Sequence, residues 1–305
     1  MTIRMPTRRD FLALAATTVL LAGCSGDGDA GTSGEAPVPA RTVTTPLGAV
    51  EVPAEPRRVV AIDSRQDLEI ALALGLPVVG YTSRMVQPWV PLGGGARRLE
   101  SPVDVEEIRE LGPDLILATS IEDEYWLAPG LVDVAPVLPI DPAAPWPENL
   151  RAVSGWLGAE QAARAALDRY EDRLERVRER HGTAAMTEPV AVVDLRAPGQ
   201  VGDLSHPPGV PSTVLADLDV PVLRFTPSAD EQLGREAGEL LARAGRLLVV
   251  TNEPGLDAAS LAGDEVFGTV PAVRDGRLVV TGDVAYGSVY TALEILVQMD
   301  RLLGL

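Results

Sequence analysis

Apolar and polar positions in this chain alternate in blocks whose period changes. Between 41 and 53, β-branched runs flank Pro46-Leu47-Gly48, which predicts a β-hairpin. Residues 58–62 then form a short continuous apolar run, the pattern of a strand buried on both faces. Leu68, Ile70, Ala71 and Leu74 lie along a helix predicted over 66–74, with Gly75 as its stop. A strand at 77–80, a helix at 105–111 and strands at 114–118 and 136–139 follow. Strands alternating with helices predict a mostly parallel α/β sheet.

From 158 to 181 the period lengthens. Leu167, Tyr170, Leu174 and Val177 recur at intervals of three, four and three, a helical stripe, and Asp172 and Arg176 pair on the charged face. The alternation then resumes, with strands predicted at 189–194, 220–223, 246–251 and 277–281 and a C-terminal helix at 288–303. The expected fold class is α/β: two doubly wound lobes with mostly parallel sheets, 41–157 and 182–305, joined by a single long rigid α-helix over 158–181.

The N-terminal segment follows none of these patterns. Arg4, Arg8 and Arg9 precede an apolar run of about 13 residues, shorter than the ~20 a spanning helix needs, which fits a signal-peptide core. The run ends in Leu21-Ala22-Gly23-Cys24, and residues 25–40 are rich in Gly, Ser, Ala, Asp and Pro, the composition of a flexible tether. Leu-Ala-Gly-Cys after an apolar core resembles the lipobox of bacterial lipoproteins, which implies removal of 1–23 and lipidation of Cys24, with 24–40 as the tether. Thr7-Arg8-Arg9-Asp10-Phe11-Leu12 resembles the twin-arginine export signal, with Ala13 where that pattern often has lysine; general secretion is the alternative route.

Composition narrows the chemistry. All 26 basic residues are arginine, against 44 acidic residues, and there are one cysteine and two histidines. Without lysine there is no P-loop lysine and no Schiff-base lysine. One cysteine excludes an internal disulfide and a thiolate zinc site. The net charge of −18 argues against nucleic acid as a partner. No Gly-x-Ser-x-Gly or strand-borne Gly-x-Gly-x-x-Gly occurs, so the reading is not an enzyme. His181 and His206 are expected at the surface.

Several segments together resemble the substrate-binding lipoproteins of iron–siderophore and vitamin B12 ABC importers. They are Pro56-Arg57-Arg58-Val59-Val60 with Leu72-Ala73-Leu74-Gly75-Leu76-Pro77-Val78-Val79-Gly80, then Val105-Glu106-Glu107-Ile108 with Pro113-Asp114-Leu115-Ile116-Leu117, and finally Val270-Pro271-Ala272-Val273-Arg274-Asp275-Gly276-Arg277. The resemblance spans about 41–305 and implies the class III periplasmic-binding-protein fold, with one ligand in the cleft between the lobes. It implies a monomer whose partners are the importer's permease and ATPase subunits, the membrane through lipid on Cys24, and a small-molecule iron chelate, at an extracytoplasmic, lipid-anchored location.

In open α/β sheets ligands sit beyond the carboxyl ends of the strands. The loops there offer Arg65, Tyr81, Arg84, Trp89, Tyr125 and Trp126 from the first lobe and Arg196, Gln200, Tyr286 and Tyr290 from the second. Arginine presents planar bidentate donors to carboxylate, hydroxamate or catecholate oxygens, and the aromatic rings offer faces to stack on. These ten are the candidate ligand contacts. No metal site and no resident cofactor are expected; the iron belongs to the ligand. The resemblance further implies a surface glutamate on each lobe that meets permease arginines: Glu106 in the first, Glu239 or its rival Glu231 in the second. Cobalamin or haem is the alternative ligand, with Tyr286 or Tyr290 able to serve haem. An accessory or structural lipoprotein without a transport ligand is the alternative of another class.

Overall fold

The computed structural model describes residues 39–305 except 63–64, 84, 101–102, 120–129, 183–186, 198–199 and 225–233, and describes only the backbone at 196–197, 200 and 234–237. The predicted hairpin is present, with β1 (Ala40–Thr45) antiparallel to β2 (Gly48–Pro53) and Gly48 at a positive φ of 99° in the turn.

The first sheet contains β3 (Val59–Ile62), β4 (Val78–Tyr81), β5 (Arg97–Arg98), β6 (Leu115–Thr119) and β7 (Val137–Ile140), all parallel, in the order β5-β4-β3-β6-β7. Every residue of β3, β6 and β7 is buried, as continuous apolar runs require. Helices α1 (Arg65–Ala73), α2 (Val105–Glu110) and α3 (Trp146–Leu157) accompany it. The second sheet, in the order β11-β10-β8-β9, holds β8 (Val190–Ala197), β9 (Gln200–Asp203), β10 (Arg246–Thr251) and β11 (Leu278–Thr281). Only β9 runs antiparallel, on β8. The run predicted as a strand at 220–223 makes a single bridge, Val222 to Val190, because Pro221 has no N–H to extend a ladder.

Between the two sheets in the chain lies α4 (Glu160–His181), 22 residues and about 33 Å long. The predicted stripe is its buried face, with Ala163 and Ala166 added. It packs on α1 and α3 from the first half and on α5 (Val210–Leu218) and α9 (Val289–Leu303) from the second. Short helices α6 (Gly234–Leu241), α7 (Ala258–Ala262) and α8 (Pro271–Arg274) complete the second half.

Two helices that the sequence pattern did not predict, α3 and α5, both carry proline in their first turn, Pro147 and Pro211. Proline there costs nothing, because the first-turn N–H has no helical partner anyway. Helix α3 ends at Gly158, in the left-handed region at φ 65°, and Arg41 of the hairpin lies against that glycine and donates to Leu157 O at 2.6 Å.

The sheets share a core. Leu115 and Leu117 of β6 and Leu248 and Val250 of β10 belong to one apolar cluster with α1, α3, α4, α5 and α9. The alternate residues, Ile116 and Ala118 or Leu247 and Val249, face separate outer clusters. Each sheet is therefore buried on both faces.

Candidate functional site

The parallel strands of each sheet end in loops at one edge. In the first half the relevant ends are Ile62 of β3, Tyr81 of β4 and Thr119 of β6; in the second they are Ala197 of β8, Thr251 of β10 and Thr281 of β11. The two sets of loops touch along a seam, and four of the ten sequence candidates lie on it.

Arg65 opens α1 and is 6% exposed. Its Nη1 donates to Asp283 O at 2.8 Å, and its Nη2 stands 3.1 Å from Asp283 Oδ1. The guanidinium is thus engaged by the other half of the protein. Trp89, half-buried, donates from Nε1 to Thr291 Oγ1 at 3.2 Å. Tyr290 stands in the first turn of α9, half-buried; burial raises its phenol above the ordinary value, Arg169 opposes the shift and Glu69 adds to it. Tyr286, in the loop before α9, is 62% exposed. An exposed tyrosine at the strand-end edge, beside a half-buried one, leaves a ring face available to a ligand.

The other candidates are placed less fully. Tyr81 ends β4, half-buried against a small cluster of Ala61, Leu68 and Val90. The backbones of Arg196 and Gln200 lie at the strand-end edge, where β8 turns into β9 and Ala197 pairs with Gln200. Arg84, Tyr125 and Trp126 lie outside the described residues, as do Cys24 and Glu231. Glu106 is exposed in the first turn of α2, where Asp104 caps its N–H at 2.9 Å and Arg109 pairs with it at 3.4 Å. Glu239 is exposed on α6.

Residue-level reading missed the polar groups that organise the seam. Glu69 is 0% exposed and accepts from Ser288 N at 2.7 Å, Thr291 N at 2.9 Å and Thr291 Oγ1 at 2.5 Å. Asp67, also fully buried, accepts from Thr119 Oγ1 at the end of β6. Seven of the nine residues of α1 are buried, Asp67 and Glu69 among them, so these acids must be partnered, but four polar residues in its first five positions give the sequence no mark of that burial.

Neither histidine belongs to the seam. His181 was expected at the surface, yet its ring is only 9% exposed, with Nε2 2.8 Å from Asp300 Oδ1. Arg173 at 3.1 Å and Arg180 at 2.7 Å converge on the same carboxylate. The end of α4 is pinned to α9 there, which takes the ring out of solvent. His206 stays half-exposed, 3.2 Å from Asp203 Oδ2, and Ser205 Oγ donates to Asp203 rather than to the imidazole. Among the described residues no group of three or more His, Cys, Asp or Glu is arranged to hold a metal. An open groove of mixed polarity, lined by Leu47, Val50, Glu51, Asp133 and Pro136 among others, lies at the opposite, N-terminal end of β7.

Comparison with known proteins gives a consistent picture. The family model described as periplasmic binding protein matches residues 97–285. A periplasmic solute binding protein from Mycobacterium smegmatis superposes with a TM-score of 0.71 at 22% identity, over 87% of this chain and 98% of that one. Staphylococcus aureus SirA, solved with staphyloferrin B, gives 0.65 at 19% identity over 87% and 98%. The siderophore binding protein FhuD from Vibrio cholerae, solved with Fe3+–Desferal, gives 0.67 at 19% identity over 81% and 97%. No curated protein matches by sequence.

Proposed function

We propose that this chain, which belongs to the periplasmic binding protein family, captures a ferric siderophore between its two sheets and delivers it to an ABC importer. Its mainly parallel sheets, joined by α4, are the class III form of that fold. The observation that supports the ligand reading is the seam itself: Trp89, Tyr286 and Tyr290, with Arg65 beside them, lie where the strand ends of the two sheets meet, the place open α/β sheets reserve for ligands. SirA and FhuD, both solved with siderophores, share the architecture.

In this reading Tyr286 and Tyr290 pack the ligand's organic frame. Arg65 is already committed to Asp283, so Arg84 and Arg196 supply the charge that meets the chelate's oxygens. Tyr81, Trp89, Tyr125, Trp126 and Gln200 complete the lining. The protein binds and hands over; it does no covalent chemistry. Cys24 carries the lipid that holds it outside the cytoplasmic membrane, and Glu106 and Glu239 meet the permease.

Replacing an arginine that hydrogen-bonds an anionic ligand removes a charge-assisted contact, worth about tenfold in affinity. Arg84→Ala and Arg196→Ala should each raise the Kd for the ferric siderophore by about that factor, read by calorimetry. Affinities unchanged within twofold for both variants would remove the assignment.

A further inference from the structure

Helix α9 starts without a cap of its own: the Ser288 side chain makes no capping hydrogen bond. The first N–H groups of a helix have no helical partner and need an acceptor. Here the acceptor comes from the other half of the protein. Glu69 of α1, more than two hundred residues earlier in the chain, takes the N–H of Ser288 and of Thr291 and the hydroxyl of Thr291. A carboxylate at a helix N-terminus also faces the positive end of the helix dipole, which adds to the attraction.

Two further side chains of the first half hold the same segment. Arg65, one turn before Glu69 on α1, grips Asp283, and Trp89 donates to the Thr291 hydroxyl that Glu69 accepts from. The backbone is shaped to let the carboxylate in. Gly287 has φ 145°, where other residues are strained, and a Cβ there would stand 2.6 Å from Glu69 Oε1. The segment 283–291 is thus fastened near its start by Arg65 and at its end by Glu69 and Trp89. Between those points it carries Tyr286, and at its end Tyr290.

We infer that Glu69, assisted by Arg65 and Trp89, is a positioning residue of the ligand cleft: a carboxylate cap supplied across the seam that sets where Tyr286 and Tyr290 stand relative to the first sheet. The inference rests on the ligand reading above. It assigns Glu69 no contact with ligand; its effect passes through the start of α9.

The test uses the full chain, first without ligand. In Glu69→Ala, amide hydrogen exchange at Ser288 and Thr291 should quicken by about tenfold, while the amides of β6 and β10 stay within twofold. Glu69→Gln should keep most of the protection, since its amide oxygen still accepts from the two N–H groups. The ferric siderophore that wild type binds best, chosen from a hydroxamate, catecholate and carboxylate panel, is then titrated. Glu69→Ala should weaken it by about tenfold and Glu69→Gln by less than threefold. If Glu69→Ala does not fold, Thr291→Val, which removes the shared hydroxyl, takes its place with the same direction expected. Unchanged exchange at Ser288 and Thr291, loosening spread equally through both sheets, or loosened amides with an unchanged Kd would each overturn the inference. Wild type that binds no member of the panel would instead fail the ligand reading, and the inference with it.

Discussion

At Glu69, burial and hydrogen bonding pull in opposite directions. Burial raises the carboxyl above its ordinary value of 4.5; the donors from Thr291 and Ser288, and Arg65 on the same helix, lower it, and burial wins. Tyr290 faces it from α9. A carboxyl that holds its proton more tightly folded than unfolded contributes stability that is fully present below the unfolded value. That contribution is lost as the pH rises through the folded one. The urea midpoint of wild type should therefore fall more steeply than that of Glu69→Gln as the pH is raised from 4.5. Parallel midpoint curves would show that Glu69 does not titrate with folding. This residue was not legible as a seam residue: its partners lie more than two hundred positions away, and local pattern carries no such distance. Arg65 and Trp89 were legible as strand-end residues, yet their use in fastening the two halves depends on the same long-range contacts.

At the scale of elements, the long helix was the most legible feature, because its stripe of Leu167, Tyr170, Leu174 and Val177 is what the core buries. Tyr170 adds a hydrogen bond to Asp217 of α5 at 2.7 Å and an edge-on contact with Trp146 of α3, with ring centres 5.1 Å apart. Its two ends reach different halves of the protein. Helices α3 and α5 were missed because proline reads as a breaker unless the first-turn exception is applied.

The junction of α4 with α9 makes a prediction of its own. Burial works against the Asp300 charge, but His181, Arg180 and Arg173 together hold its carboxyl below the ordinary value. Asp300→Asn keeps the shape and removes the charge those groups share. It should cost about 1–3 kcal/mol of unfolding free energy at neutral pH, measured by urea denaturation. A carboxyl held low contributes stability above its unfolded value and loses it as the pH falls through the folded one, so the deficit should shrink in acid. A deficit that does not change with pH would contradict the charge argument.

At the scale of the whole molecule, the −18 of the full chain becomes −20 without residues 1–23, which hold three arginines and one aspartate. A net negative charge of this size favours association with a basic partner. Glu106 and Glu239 are both exposed, as a docking surface requires. Reversing both charges, Glu106→Arg with Glu239→Arg, should abolish uptake of the ferric ligand by cells while leaving its Kd within twofold. Preserved uptake would remove these two residues from the docking surface.

The absence of lysine sharpens the ligand site as well, because any cationic contact must be an arginine. With Arg65 engaged by Asp283, few remain at the strand ends. The central claim, capture of a ferric siderophore between the sheets, is tested most directly by tryptophan fluorescence. Trp89 sits on the seam, so a ligand there should quench it. The account predicts saturable quenching by at least one ferric siderophore, with little or none from the iron-free form, cobalamin or haem. Quenching by cobalamin or haem alone, or no response to any of them, would contradict it.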